Sequence, residues 1–225
     1  QLLTELKANK TKWNAAVSIN VASIPGWLDD MKESGCQGLF IGFESIHPES
    51  ISNVHKVQND VNGYEHAIAE IHKRGIMINA SFVFGLDCDT KETFSATVDW
   101  IVRNKIETVT SHILTPYPGT VIYDRMKEQG RILTSDLGLY DTAHVVIQPR
   151  NMTPEELYEG YLSVYRNVYS FRNIMRRMPK SVEQIPAYLA FNFLYRKWGR
   201  FTDWLCKKIT YERVGYWAEK VSNYM

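Results

Sequence analysis

The segment Gly38-Leu39-Phe40-Ile41-Gly42-Phe43 is short, apolar and bounded by glycines, and Glu44-Ser45 follows it directly. An apolar run of this length between turn signals is typical of a buried β-strand. We therefore predict a strand that ends where the acidic side chain of Glu44 begins the next loop. Three further segments have the same character, and they are Lys12 to Asn20, Ile76 to Phe84 and Thr108 to Leu114.

A helix is predicted between each pair of these strands, because apolar residues recur there at helical spacing. The helices are Pro25 to Ser34, Val61 to Arg74 and Lys91 to Asn104. Strands that alternate with helices form a parallel sheet with right-handed crossovers, so the predicted fold class is α/β. Functional sites of such sheets lie at the carboxyl ends of the strands.

From Thr153 onward the pattern is helical. Thr153-Pro154-Glu155-Glu156 is a typical helix start, with a threonine cap and acidic residues in the first turn. The predicted helices are Thr153 to Met178, Pro186 to Trp198 and Phe201 to Val221. The sequence thus divides into an α/β part, residues 1–150, and a helical part, residues 151–225.

The composition is that of an ordinary globular protein, with 44% hydrophobic and 23% charged residues in 225. No run of 18 or more apolar residues occurs, so no spanning helix is predicted. The three cysteines are far apart, which favours a reducing, cytoplasmic environment without a disulfide framework. The chain opens in a helical pattern without a starting Met, and we expect it to be cut from a longer protein.

The net charge of +1 conceals an asymmetry between the two parts. Residues 1–149 carry 13 Lys or Arg against 18 Asp or Glu, a net −5, and residues 150–225 carry 13 against 7, a net +6. A basic helical part on an acidic body indicates an anionic partner, a membrane surface, a contact between the parts or a solvated surface. We expect no nucleic-acid partner.

Several polar residues stand where ligands are expected. Glu44 can accept hydrogen bonds from the vicinal hydroxyls of a ribose, although a helix cap or a surface acid would look the same. Lys56 can pair with a carboxylate or be solvated, and the buried Ser81 hydroxyl needs a ligand or a backbone partner. Asp87 and Asp89 could bind a metal together, but the stretch Asp89-Thr90-Lys91-Glu92 is predicted instead to cap the next helix. The histidines show no metal-ligand spacing, and His112 is expected in the core.

The order of these motifs resembles the radical S-adenosylmethionine enzymes, in particular their cobalamin-binding class. That class includes the anaerobic magnesium-protoporphyrin ester cyclase and hopanoid methylases. The motifs are Gly35 to Ser45, Lys56, Ser81 to Asp87 and Leu114 to Thr120. The resemblance covers about residues 1–150 and implies a partial, TIM-like (β/α)6 barrel, of which these strands are the third to the sixth.

The resemblance also implies how S-adenosylmethionine is bound. Glu44 would contact its ribose or methionine, Lys56 its methionine carboxylate and Ser81 its ribose. The remaining implied contacts are Asn20 after the third strand, and Thr115 and Pro116 beside the adenine. The parent enzyme would use a 4Fe–4S cluster, with cobalamin as a further cofactor, to generate a 5′-deoxyadenosyl radical for methylation, cyclisation or a related reaction at an unactivated carbon.

One motif of the family is absent. The Cys-x-x-x-Cys-x-x-Cys loop that holds the cluster has no counterpart, because Cys36, Cys88 and Cys206 are too widely spaced. We therefore expect the chain to supply cofactor-binding strands of a longer enzyme, to ligate no cluster and to be inactive alone. The alternative is a non-catalytic binding or assembly domain that acts through its basic helical surface.

Residues 187–209 combine aromatic and apolar side chains with basic ones. This pattern fits core packing, a lid over an apolar small-molecule substrate, or a helix at a membrane surface. We expect an apolar substrate rather than membrane contact. We also expect self-association through the parallel sheet edge at the Lys12 to Asn20 strand, since such edges pair with other chains.

Overall fold

The computed structural model describes residues 2–49 and 61–208. Within these ranges the strands form one parallel sheet in the order β1-β2-β3-β4. They are β1 (Trp13–Val17), β2 (Cys36–Glu44), β3 (Met77–Phe84) and β4 (Thr108–Ile113). The α/β fold is confirmed, with neighbours in the chain lying side by side in the sheet as in a (β/α) barrel.

The largest differences from the predicted helices lie in the helical part of the chain. In the described ranges the helices are α1 (Leu2–Ala8), α2 (Trp27–Glu33), α3 (Tyr64–Lys73), α4 (Lys91–Arg103), α5 (Val121–Glu128), α6 (Pro154–Val168), α7 (Phe171–Arg176) and α8 (Ile185–Lys208). The predicted helix to Met178 is instead two helices, because the Ser170 hydroxyl accepts a hydrogen bond from Asn173 N and caps α7. Helix α8 continues through Gly199, and the predicted extension to Val221 lies outside the described residues.

No helix among the described residues has both the length and the apolar character that crossing a membrane requires.

One face of the sheet packs against α3 and α4 and forms the main core. Phe43 and Phe82 of neighbouring strands contact Tyr64 of α3 and Trp100 of α4, with ring centroids 4.9 to 6.2 Å apart. All four side chains are buried. Burial of a large apolar side chain contributes about 1.5–3 kcal/mol, so this aromatic cluster fixes β2 and β3 on the helices.

The opposite face of the sheet is polar and partly exposed. Phe40 pairs in register with Asn79, and Ser81 pairs with Thr110, so these side chains share the face that turns away from the core. Phe40 is 38% exposed, and the Thr110 hydroxyl donates to Asn79 Oδ1 at 3.3 Å. In a (β/α) barrel this face lines the interior.

Side chains from the helical part close the outer edge of β4. The Tyr165 hydroxyl accepts a hydrogen bond from Ser111 N at 2.8 Å and donates one to Ser111 O at 3.1 Å. The Tyr169 hydroxyl bonds Val109 N and O in the same way, at 3.0 and 2.9 Å. Because an open strand edge attracts strands of other chains, these two tyrosines take the place of a further strand.

Candidate functional site

Glu44 ends β2 in a strained turn. A β-bulge between Gly42 and Glu44 interrupts the pairing with β3, and the Phe43 side chain enters the core. The Phe43 carbonyl accepts hydrogen bonds from the Tyr64 hydroxyl at 3.0 Å and from Ser45 N at 2.8 Å. The second bond closes a three-residue γ-turn around Glu44, whose φ of 65° belongs to the rare, strained form of that turn.

Ser81 lies on the neighbouring strand and faces the barrel interior. It pairs in register with Gly42, which has no side chain to cover it, and it is 6% exposed. Within the part of the chain that the structure describes, its hydroxyl makes no hydrogen bond. A serine hydroxyl at this position can donate and accept hydrogen bonds on the interior face of the sheet.

His112 lies on β4 on the same face of the sheet. It pairs with Val83, two residues beyond Ser81, and its Nδ1 lies 3.0 Å from Thr142 Oγ1. Burial lowers the pKa of His112, and the Glu44 carboxylate opposes that shift, so the two side chains are within electrostatic reach. The imidazole is therefore mainly neutral at pH 7.

Thr142 belongs to the loop that precedes α6, and its φ of 65° is positive. Its carbonyl accepts a hydrogen bond from Ile113 N at 2.7 Å, which ties the loop to the end of β4. Asp141 Oδ1 accepts hydrogen bonds from Ala143 N at 2.9 Å and His144 N at 3.0 Å. Burial alone would raise the pKa of Asp141, but these bonds and the His144 ring outweigh it and lower the pKa.

The other predicted site residues have no described hydrogen bond with Glu44, Ser81 or His112. Asn20 is exposed in a 3-10 helix that follows β1. Thr115 follows β4, but its hydroxyl already donates to the carbonyl two residues earlier at 3.0 Å. Pro116 is buried beside it. Lys56 lies outside the described residues, so its role stays a prediction.

The loop after β3 is held by its own backbone contacts. Asp89 Oδ2 accepts hydrogen bonds from Gly85 N at 2.8 Å and Leu86 N at 2.9 Å. Within the predicted cap Asp89-Thr90-Lys91-Glu92, the capping residue is Thr90, whose N–H donates to Thr93 Oγ1 at 3.0 Å. Asp89 therefore braces the strand-to-helix turn.

The described residues do not fit an iron–sulfur cluster. Among them, no group of three or more His, Cys, Asp or Glu side chains could hold a metal ion. Cys36 is buried at the start of β2, at the opposite end of the sheet from Glu44, and burial raises the pKa of its thiol to about 11. The chemistry of these residues is that of binding and orientation.

Sequence reasoning missed Thr142 and expected His112 in the core. The polar alternation at Thr108, Thr110 and His112 was a usable signal, because period-two polarity marks a strand face that no helix covers. No local signal marks Thr142, which lies 30 positions from His112 in the chain.

Part of the chain matches a known family model, and its fold resembles that of a solved enzyme. Residues 120–203 match a family model described as Domain of unknown function (DUF4070). The fold resembles TsrM of Kitasatospora setae, a radical S-adenosylmethionine methyltransferase solved with cobalamin and a 4Fe–4S cluster bound. The TM-score is 0.50 at 21% identity, over 71% of this chain and 34% of TsrM.

The chain is also similar in sequence to two curated proteins. The chain is 35% identical over 178 residues to bacteriochlorophyllide d C-12(1)-methyltransferase of Chlorobaculum tepidum. It is 29% identical over 119 residues to hopanoid C-2 methylase of Rhodopseudomonas palustris. Both relatives are named as methylating enzymes. The resemblance predicted from the sequence is thereby confirmed.

The matches cover different shares of the proteins compared. They include 79% and 53% of this chain, but only 39% and 23% of the two relatives. The DUF4070 match spans residue 150, where the sequence predicted a domain boundary. That boundary stays a prediction.

Proposed function

We propose that this chain forms the S-adenosylmethionine-binding part of a radical S-adenosylmethionine methyltransferase. The observation that carries the proposal is the placement of two polar residues on adjacent parallel strands, with Glu44 at the carboxyl end of β2 and Ser81 in β3 beside Gly42. A carboxylate in a strained turn and a serine hydroxyl on the neighbouring strand suit the vicinal hydroxyls of a ribose. The similarity to a methyltransferase and to a hopanoid methylase supports the reaction class.

The remaining predicted contacts complete this assignment. Lys56 binds the methionine carboxylate, Asn20 adds a contact after β1, and Thr115 and Pro116 border the adenine. The bound cofactors supply the radical and methyl chemistry, while these residues bind, orient and exclude water. The iron–sulfur cluster and cobalamin are then held by residues other than those described.

The substrate in this proposal is an apolar small molecule. Apolar side chains stand exposed in the segment that follows β4, and they are Tyr117 (48%), Val121 (86%), Leu133 (49%) and Leu137 (64%). Exposed apolar groups near a candidate site favour an apolar ligand. The curated relatives are named for bacteriochlorophyllide d and a hopanoid, which agrees with this substrate class.

Calorimetric titration with S-adenosylhomocysteine tests the assignment. Glu44→Ala and Lys56→Ala should each weaken binding about 10- to 150-fold, because each removes a charge-assisted hydrogen bond worth roughly 1.5–3 kcal/mol. Ser81→Ala should weaken it about 3- to 10-fold, the effect of losing a neutral hydrogen bond.

Glu65→Ala is the matched control, because Glu65 is a carboxylate on the exposed side of α3, paired with Arg103 at 3.1 Å. It should bind like the unaltered chain. If the titration detects no binding, or if the Glu44, Lys56 and Ser81 variants all bind as tightly as the control, the assignment is wrong.

A further inference from the structure

We propose that His112 is a ligand-contacting residue of this site and that Thr142 is its positioning residue. The ring bonds Thr142 through Nδ1 and presents Nε2 to a ribose hydroxyl of the nucleoside that Glu44 and Ser81 hold. This inference rests on the proposed function and deepens it by adding two residues to the ribose site. Neither residue belongs to the sequence motifs that indicated the site.

Backbone strain singles out the two residues that flank the imidazole. Four non-glycine residues in the described ranges have positive φ, and they are Lys10, Glu44, Lys105 and Thr142. Lys10 and Lys105 each lie two positions beyond the last residue of a helix, where this conformation is a common way for a helix to end. Glu44 and Thr142 end no helix, and positive φ at a β-branched threonine is an outlier.

The surroundings hold Thr142 in this conformation. Its carbonyl is bonded to Ile113 N, and Asp141 binds the two N–H groups that follow it. Strained residues cost about 1–3 kcal/mol and persist where neighbouring contacts enforce them, most often at ligand sites. The contact that this strain secures is the one between Thr142 Oγ1 and His112 Nδ1.

The other ring nitrogen has no such contact. Among the described residues no hydrogen bond involves His112 Nε2, although the side chain is half-buried. The ring shares the interior face with Ser81 and lies within electrostatic reach of Glu44. A neutral imidazole fixed at Nδ1 has one remaining nitrogen, which can bond a hydroxyl as donor or acceptor according to the tautomer.

Titration with S-adenosylhomocysteine and its 2′-deoxy and 3′-deoxy analogues tests the contact. His112→Phe should weaken binding of the parent ligand about 3- to 10-fold, as expected for a lost hydrogen bond. It should leave the affinity for one of the deoxy analogues unchanged, because the hydroxyl that His112 contacts is missing there. His66→Phe, on the exposed surface of α3, is the matched control.

Thr142→Val tests positioning, since it removes the hydroxyl and keeps the shape. In nitrogen-15 spectra of the imidazoles, His112 should show one tautomer in the unaltered chain and a mixture in this variant. A purely structural role of Thr142 would leave the tautomer unchanged, and that result would overturn the positioning role.

The two hypotheses fail in different ways. If Glu44→Ala and Ser81→Ala weaken binding but His112→Phe weakens the parent ligand and both deoxy analogues equally, or not at all, the His112 contact is refuted and the proposed function stands. If S-adenosylhomocysteine does not bind to the chain, both the proposed function and the His112 contact are refuted.

Discussion

At the scale of single residues, Asp89 combines deep burial with a carboxyl group. It is 1% exposed, and while Oδ2 binds two backbone N–H groups, Oδ1 is buried without a partner among the described residues. Burial raises the pKa of Asp89 to about 6, against the lowering effect of the bonds from Leu86 N and Gly85 N. The ionised form of Asp89 therefore lowers the stability of the folded chain.

This cost gives stability a pH dependence of defined sign. The folded chain keeps the Asp89 proton up to about pH 6, whereas the unfolded chain releases it near 3.8. The folded state thus binds more protons between these values, and the Asp89 contribution to the free energy of unfolding falls as pH rises, by on the order of 2–3 kcal/mol. Asp89→Asn should remove this fall.

Urea unfolding at about pH 4, 5.5 and 7 measures the difference in stability between the two chains. The unaltered chain should lose stability relative to Asp89→Asn across this range. Asp124→Asn, at an exposed position of α5, controls for the removal of a carboxylate. If the difference in unfolding free energy between the unaltered chain and Asp89→Asn stays constant with pH, the raised pKa of Asp89 is refuted.

At the scale of elements, α6 lies unusually close to α4 because it carries a glycine at the contact. A methyl group at Gly160 would overlap the ring of Phe94. That ring is 4% exposed and packs on Phe84, with centroids 5.1 Å apart, so it has little room to retreat. The close approach also lets α6 bring Tyr165 to the edge of β4.

Gly160→Ala should therefore destabilise the chain despite the higher helix propensity of alanine. The propensity gain is about 1 kcal/mol, and forcing a methyl group into a packed core costs about 1–3 kcal/mol. We expect a net loss of about 1 kcal/mol in the free energy of unfolding, measured by urea titration. In a Phe94→Leu background the same substitution should be neutral or stabilising, because the clash is gone. Equal effects in both backgrounds would contradict the packing argument.

At the scale of the whole molecule, the sequence predicts the periodic features and misses the long-range ones. Alternating strands and helices identify the parallel sheet, and the predicted end of β2 places Glu44 at its carboxyl edge, as the structure does. The bulge and γ-turn that strain Glu44 depend on a hydrogen bond from Tyr64, 21 positions away, and no local pattern shows that bond. The contact of Tyr165 with β4, across 54 positions, is equally hidden.

The two edges of the sheet are consequently unequal. Tyrosines of the helical part bond the outer edge of β4, whereas no strand or helix among the described residues pairs with the outer edge of β1. Asn14 and Ala16 are exposed along β1. An uncovered parallel strand of this kind accepts a strand from another chain. The helical part thus protects one side of the sheet and leaves the other open.

We expect the 225-residue chain to self-associate through β1. Ala16→Lys should shift the chain toward the monomer, because a lysine on an edge strand opposes pairing by charge and by bulk. Val121→Lys adds the same charge at an exposed position beyond β4, at the far side of the sheet, and should leave association unchanged. Light scattering over a concentration series gives the molar mass of each chain. A monomer at all concentrations for the unaltered chain, or equal dissociation by both lysines, would show that the β1 edge is not the contact.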